Sequence, residues 1–439
     1  MVVIPCYGRG RSLCRSLTAV TAVAPIALFD DGRCGFGPLS DLRANFDQRL
    51  GILTSVERAL MVGASVSLWP GAELGGCTRE RHPAVPVGDL GHAAEVICIS
   101  GACADWSRAV ALANGEAIAD SSGGLVACRL ARDDAARVLA RAGQGIIAAQ
   151  ECAARVHMAT PTEEPIRTPW ALLNALDAAI RADAPLIASA DGQRRWRAGC
   201  GVADGLPAGV TVVGEGLVSV HERAHLWPGT VIDATDGPVV IADGATVRPG
   251  SVLVGPVAVL AGSTIAERSL IKARSVIGPS CKVGGEVGSC VFHGNSNKVH
   301  DGHLGDATVG EWVNIGAGTC NSNLLNTYGE VMTRLDADAP ISRTGRTFYG
   351  CTIGDHAKIA ILTAIGTGTS IGTGAMVAVA RPPQVVERFA WLSTERSASF
   401  RWPKFEEVMR AAMARRGAAP GPSLLERLRH VHARATAGS

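Results

Sequence analysis

The stretch Ile241-Ala-Asp-Gly-Ala-Thr-Val247-Arg-Pro-Gly-Ser-Val-Leu253-Val-Gly-Pro-Val-Ala-Val259-Leu-Ala-Gly-Ser-Thr-Ile265-Ala-Glu-Arg-Ser-Leu-Ile271-Lys-Ala-Arg-Ser-Val-Ile277-Gly-Pro-Ser-Cys-Lys-Val283 carries an aliphatic residue at every sixth position. A period of six matches neither a helix nor a simple strand. It matches a solenoid of three flat faces per turn, with the aliphatic pointing inward and stacking on its counterpart one turn away. Small residues beside it let the chain turn each corner. The reading is a hexapeptide parallel β-helix, left-handed in known examples against the usual crossover rule. After a shift of two the phase resumes at Val291, with Val309 and Ile315 in step and Asn297 and His303 at the intervening positions. An excursion over about 320–350 follows, and the phase returns at Ile353, Ile359, Ile365, Ile371 and Val377. Residues 241–380 then amount to about seven or eight coils.

Working outward, the texture before 209 is different. Short apolar runs at 26–29, 95–99, 125–130 and 185–189 alternate with helical stretches at 133–141 and 170–182. That predicts an α/β domain with a mainly parallel sheet over 25–205, preceded by an extension at 1–24. The extension's arginines and the apolar run from Leu17 faintly imitate a leader, but the run leads directly into an opening strand. The coil spans 209–400. A basic tail at 401–439 reads as helix, break at Pro420 and Pro422, helix, with contact to a phosphorylated cofactor as its sharper use.

The composition narrows function. The 439 residues are 47% hydrophobic and 4% aromatic, with a net charge of +2. Two domains with real cores are expected, and a nucleic-acid groove or base-stacking platform is not. The 13 cysteines include no Cys-x-x-Cys pair, which fits reduced thiols in a cytoplasmic protein. No apolar run is long enough to cross a membrane. Only Lys272, Lys282, Lys298, Lys358 and Lys404 stand among the 42 basic residues. The 52 glycines, many at the six-residue punctuation, mark corners of the coil.

Chemistry is expected where the period breaks. Residues 289–326 replace aliphatics with His293, His300, His303 and a run of asparagines around Lys298. A prism core should be aliphatic, so such a cluster needs hydrogen-bond partners or a substrate. A histidine flanked by amides and a lysine suits general-base work near neutral pH. The alternative is a zinc site on His293, His300 and His303, as in a hydratase-like coil.

These residues carry a resemblance. His300 stands four residues before Leu304-Gly-Asp306, followed by Asn314-Ile-Gly-Ala-Gly-Thr319 and Asn323. The pattern resembles the acetyltransferase half of the bifunctional bacterial enzyme that makes UDP-N-acetylglucosamine. Ser296-Asn-Lys-Val-His-Asp-Gly302, with Gly354-Asp-His-Ala-Lys358, is similar to a divergent branch of that family, as are Phe29-Asp-Asp31, Arg49-Leu-Gly-Ile-Leu-Thr54 and Pro169-Trp170. The resemblance implies a nucleotidyltransferase-like N-terminal domain and a homotrimer. It implies acetyl-CoA as donor and an amino-sugar phosphate as acceptor, with UTP as the substrate of a coupled nucleotidyl transfer. His300 would be the general base. Asn314 and Asn323 would hold the sugar and acetyl group, with His303 at the family's tyrosine position. Lys298, Arg268 and Arg274 would meet phosphate, the two arginines being six residues apart on successive faces. In the first domain Arg43 and Arg49 would contact nucleotide phosphates, and Asp30 or Asp31 would hold Mg2+. The loop Asp30–Pro38 is glycine-rich but has no lysine, and none occurs before Lys272. That leaves a second reading, a protein that binds a sugar nucleotide without turning it over.

Overall fold

The computed structural model describes residues 24–196, 206–394 and 397–437. The predicted extension lies outside them but for Ala24. The chain forms two compact units, one built mainly from Leu42–Thr168 and the other mainly from Pro169–Ala419. Gly37–Asp41 and Arg429–Ser439 group with the second unit, and Pro420–Leu428 with the first.

The first unit is a six-stranded sheet: β1 (Ile26–Phe29), β2 (Val66–Trp69), β3 (Glu95–Ser100), β4 (Glu116–Ala119), β5 (Leu125–Ala131) and β6 (Arg155–Met158), in the order β2-β1-β3-β5-β4-β6. β1 is apolar throughout and buried on both sides. Ile26 and Leu28 enter one core, Ala27 and Phe29 the other, as the strand's period of two requires. The sheet is mixed: β5 runs antiparallel to both β3 and β4. The run 185–189 is not a strand. It belongs to the last turns of a helix, Pro169–Ala188. Short apolar runs do not distinguish a strand from a buried helical turn, and Leu172, Leu173, Leu176, Ile180, Ala184 and Ile187 supply the helical stripe. This helix groups with the second unit, short of the sequence boundary near 205.

The second unit is a parallel β-helix, consistent with the left-handed form. Its interior is three stacks of side chains, one per face. One stack runs Leu226, Val247, Ile265, Val283, Lys298, Ile315, Ile359, Val377, Leu392. A second runs Ile232, Leu253, Ile271, Val287 and Leu304, with Asn321 and Ile365 paired further along. The third runs Val220, Ile241, Val259, Ile277, Phe292, Val309, Ile353, Ile371, Val386. The coil thus begins at the strand Thr211–Val213 and ends at Ala390–Ser393, inside the expected 209–400 and beyond the strictly periodic 241–380. The strict six-residue period does not reach back past Ile241 because the step from Ile232 to Ile241 is nine residues.

The inward phase also differs between Val287 and Val309. Phe292, Lys298 and Leu304 point inward, not Val291, Asn297 and His303. Val291 is apolar for another reason. With Val240, Ala258 and Val276 it lies on the outer side of the third face, against which the helix Pro169–Ala188 packs, and all four are fully buried. The tail forms the helices Trp402–Ala414 and Pro422–Thr436.

Candidate functional site

Among the described residues, Lys298 and Asn321 are polar side chains within the coil's inward stacks and mark the place where its rule breaks. Lys298 is 1% exposed, between Val283 and Ile315 in its stack. Its Nζ donates to the carbonyls of Gly284 and His300, each at 3.0 Å. Burial pulls its pKa below the ordinary lysine range. The structure therefore turns Lys298 inward, where it anchors the backbone of His300. Asn321 donates from Nδ2 to Gly305 O at 2.8 Å and accepts from Gly305 N at 2.7 Å. Both buried polar groups are satisfied, as a core demands.

Around these anchors a chain of polar groups follows the second face. Leu270, Glu286 and His303 occupy matching outward positions on adjacent rungs. Glu286 Oε1 lies 2.5 Å from Lys272 Nζ and 3.4 Å from His303 Nδ1. The hydrogen bond from Lys272, against a smaller effect of burial, holds the Glu286 carboxyl below its usual range. A Cβ built on Gly305 would fall 2.6 Å from His303 Nε2 and 2.7 Å from Asn323 Nδ2. These two side chains therefore close over Gly305, which only glycine permits. Asn323 Nδ2 donates to Asp306 Oδ2 at 2.8 Å, and Arg346 donates to Asp306 Oδ1 at 2.8 Å. His300 is exposed on the turn between Lys298 and His303. Its backbone is fixed by Lys298, which leaves the imidazole facing solvent.

The structure does not bring every predicted residue here. Asn314 is exposed on the outer side of the first face, between Asn297 and Lys358 on neighbouring rungs. Arg268 and Arg274 sit at positive-φ corners, 55° and 59°. Six residues advance the chain by one face, so the two arginines occupy different edges and do not converge on one phosphate. His293 is buried, on the third face, while His300 is exposed at another corner. Among the described residues no group of three or more His, Cys, Asp or Glu is placed to hold a metal ion. The zinc alternative thus lacks a ligand set.

In the first unit, Asp30 and Asp31 end β1 at the edge where α/β sheets bind ligands. Asp30 accepts from Gly32 N at 2.9 Å and Asn45 N at 3.1 Å, and burial, against those bonds, raises its pKa. Asp31 accepts from Arg33 N at 3.1 Å and Asn45 Nδ2 at 3.1 Å, and pairs with Arg33 at 3.3 Å and Arg167 at 2.7 Å. The same two arginines reach Asp120 at 2.8 and 3.0 Å, closing a ring of two carboxylates and two guanidiniums. Gly35 N donates to Arg167 O at 2.7 Å, and a Cβ on Gly32 would fall 2.9 Å from the backbone of Gly143. A phosphate cradle needs free N–H groups. Here the N–H groups of Gly32 and Arg33 serve the loop's own carboxylates and that of Gly35 serves a carbonyl. The donor set does not fit Mg2+ either, since Asp30 already accepts from two backbone N–H groups and Asp31 is paired with Arg33 and Arg167. Arg43 is buried at 2% exposure. Arg49 is committed to Glu57 at 2.8 and 3.1 Å and to Ile52 O at 2.5 Å.

Sequence reasoning missed Glu286, Asp306, Arg346 and the Arg33–Arg167 pair. Glu286 had a signal, lying one rung before His303; Arg346, inside the excursion, had none.

Residues 26–191 match the family described as sugar nucleotidyl transferase. The chain is 34% identical to the bifunctional protein GlmU of Rippkaea orientalis over 110 residues, covering 25% of this chain and 23% of that one. It is 29% identical to the GlmU of Synechococcus elongatus over 212 residues, 43% of this chain and 45% of the relative. The aligned region thus spans less than half the length of these relatives. A solved UDP-N-acetylglucosamine acyltransferase of Francisella novicida aligns at 15% identity over 48% of this chain and 74% of its own, with a TM-score of 0.27. Among the described residues no helix is long and apolar enough to cross a membrane.

Proposed function

We propose that this chain, a divergent relative of the bifunctional GlmU proteins, transfers the acyl group of acetyl-CoA to the amine of an amino-sugar phosphate such as glucosamine 1-phosphate. The observation that carries the reading is the cluster on the second face, where His303 and Asn323 close over Gly305 beside the turn of His300. The amine nitrogen attacks the thioester carbonyl, and His300 takes the proton that nitrogen sheds. The C–S bond breaks as the tetrahedral centre collapses, and the thiolate of CoA leaves and takes up a proton. Backbone N–H groups of the coil are suited to the transient oxyanion. Asn314, Arg268 and Arg274 would reach a ligand only from other edges of the prism, which fits sites completed between copies of the coil. A homotrimer in the cytoplasm belongs to this reading. Its support is the exposed apolar side chains Tyr328, Ile341 and Phe348 on the excursion and Ile361 and Leu362 on the coil.

For the first unit we favour the second reading, a domain that holds a sugar nucleotide without forming it. What weighs against transfer is the loop after β1, which has no lysine and whose Gly32, Arg33 and Gly35 N–H groups are bonded internally. Coupled UDP transfer from UTP is the competing activity. One experiment addresses both units. CoA release is measured with acetyl-CoA and glucosamine 1-phosphate, and pyrophosphate release with UTP, Mg2+ and N-acetylglucosamine 1-phosphate. We expect CoA release, its loss in folded His300→Ala, and no pyrophosphate. Undiminished CoA release in His300→Ala sinks the assignment of the base. Steady pyrophosphate release sinks the binding-only reading.

A further inference from the structure

We infer that Arg346 is a positioning residue of the acyl-transfer site: through Asp306 it fixes the Asn323 amide so that Oδ1 is offered to a hydrogen-bond donor on the acceptor. The inference rests on the acyl-transfer reading above. It gives the excursion between Leu324 and Phe348 a role in the chemistry.

All three guanidinium nitrogens of Arg346 are engaged. Nε donates to Phe348 O at 2.8 Å, NH1 to Asn174 Oδ1 at 2.5 Å and NH2 to Asp306 Oδ1 at 2.8 Å. Asn174 lies on the helix Pro169–Ala188, so the arginine is held from the excursion, that helix and the coil at once. The side chains of Arg346 and Asp306 are 11% and 8% exposed. A partly desolvated, hydrogen-bonded pair of this kind holds its geometry far better than an exposed one.

The consequence lies at the other carboxylate oxygen. Ionised Asp306 can only accept. The group 2.8 Å from its Oδ2 is therefore the Asn323 amide nitrogen, and the amide oxygen is turned away from it. Were the carboxylate free to swing, the Asn323 amide could rotate by half a turn and exchange donor for acceptor. With Oδ1 of Asp306 clamped by Arg346, that exchange is blocked. Asn323 then presents an acceptor, which matches an ammonium, amine or hydroxyl of the sugar and not the thioester carbonyl. The carbonyl's developing negative charge must be met by other donors.

The test uses the full chain. Arg346→Gln and Arg346→Lys are compared with wild type by separate KM values for glucosamine 1-phosphate and acetyl-CoA, with thermal melts alongside. Arg346→Gln is expected to lower kcat/KM for the amino sugar by about tenfold or more through KM, with KM for acetyl-CoA unchanged. Arg346→Lys should recover part of the loss, because a lysine still pairs with Asp306. Combined with Asn323→Ala, Arg346→Gln should add nothing, since both act on one contact. A purely structural brace would lower the melting temperature and the active fraction but leave both KM values alone. That result, or losses that multiply in the double variant, overturns the inference. If Arg346→Gln does not fold, Asn174→Ala removes one leg of the clamp and is read in the same way. Wild-type turnover with unchanged acceptor KM in the variants overturns this inference alone. Absence of wild-type CoA release overturns the acyl-transfer reading and this inference with it.

Discussion

Replacing Lys298 with methionine separates what the buried lysine does for the fold from what it does for His300. Methionine has nearly the same length and fills the stack between Val283 and Ile315. The exchange removes two ammonium–carbonyl bonds of 3.0 Å, each worth about 1.5–3 kcal/mol as a charge-assisted contact. It also removes the several kcal/mol that burying a cation costs. These terms oppose each other, so the net change is expected within about 2 kcal/mol. Lys298→Ala instead leaves a void where the four-carbon stem lay, for about 2–4 kcal/mol of destabilisation. The pH dependence supplies a second signature. The folded-state pKa of Lys298 is depressed, so its burial penalty is complete below that value. The penalty is relieved as pH rises through the depressed value toward the ordinary lysine value near 10.4, and wild-type stability climbs there. Lys298→Met loses that climb. Function should diverge from stability. With the His300 carbonyl released, the turn carrying the imidazole shifts, and a displacement of about 1 Å can lower turnover as much as a hundredfold. Denaturant melts from pH 7 to 10, paired with thiol-detected CoA release, make the comparison. A methionine variant destabilised by more than about 4 kcal/mol, or one with full turnover, would refute the reasoning.

Gly305→Ala places a methyl where His303 Nε2 and Asn323 Nδ2 now stand, 2.6 and 2.7 Å from its centre. Both are side-chain ends that can move aside, so the melting point should hold within a few degrees while CoA release falls at least about tenfold; retained activity would remove Gly305 from the site. In the first unit, Glu57 closes a capping box with Thr54 and takes Arg49. Against the cost of burial, Arg49 holds its carboxyl below the usual range. Its contribution is therefore present above the unfolded value near 4.3 and lost as pH falls through the folded one. Because the Glu57 side chain is 38% exposed, Glu57→Gln should cost about 0.5–1 kcal/mol at pH 7 and less in acid, as read by melts across pH 3–7; an equal cost at both ends would show that the charge plays no part.

The coil was legible over 241–283 because three consecutive faces each repeat the same six-residue rule. It was misphased at Val291, Asn297 and His303 because the step Val283 to Val287 is four residues long and the steps Val287 to Phe292 and Leu304 to Val309 are five. A shorter step changes which side chain faces in without changing the composition. The outer aliphatics under the helix Pro169–Ala188 reinforced the wrong phase, since burial from outside looks the same in sequence as burial from inside. The site's histidines and asparagines were visible as polar breaks in an apolar rule. Their supports were not equally visible. Asp306 lies inside the recognisable motif, but Arg346, which reaches it, and Asn174, which holds Arg346, lie far along the chain with no periodicity to betray them. In the first unit every early arginine looked alike. Glu57 on Arg49, and Asp31 with Asp120 on Arg33 and Arg167, separate them.

The excursion leaves the coil at Leu324 and rejoins it at Phe348, where the two residues bridge antiparallel to each other. On either side the stacks continue unbroken, Val309 on Ile353 and Ile315 on Ile359. The departure is thus pinched at a narrow neck, and the excursion folds back onto the rungs beyond it: Thr333 Oγ1 donates to Gly368 O at 2.8 Å, Ser370 Oγ to Leu335 O at 2.9 Å and Gln384 Nε2 to Met332 O at 3.0 Å. Such a neck makes the intervening segment a replaceable cassette. An exchanged segment would bring a new acceptor preference to the same prism, provided it still delivers a cation to Asp306 and still meets the rungs at Gly368, Ser370 and Gln384.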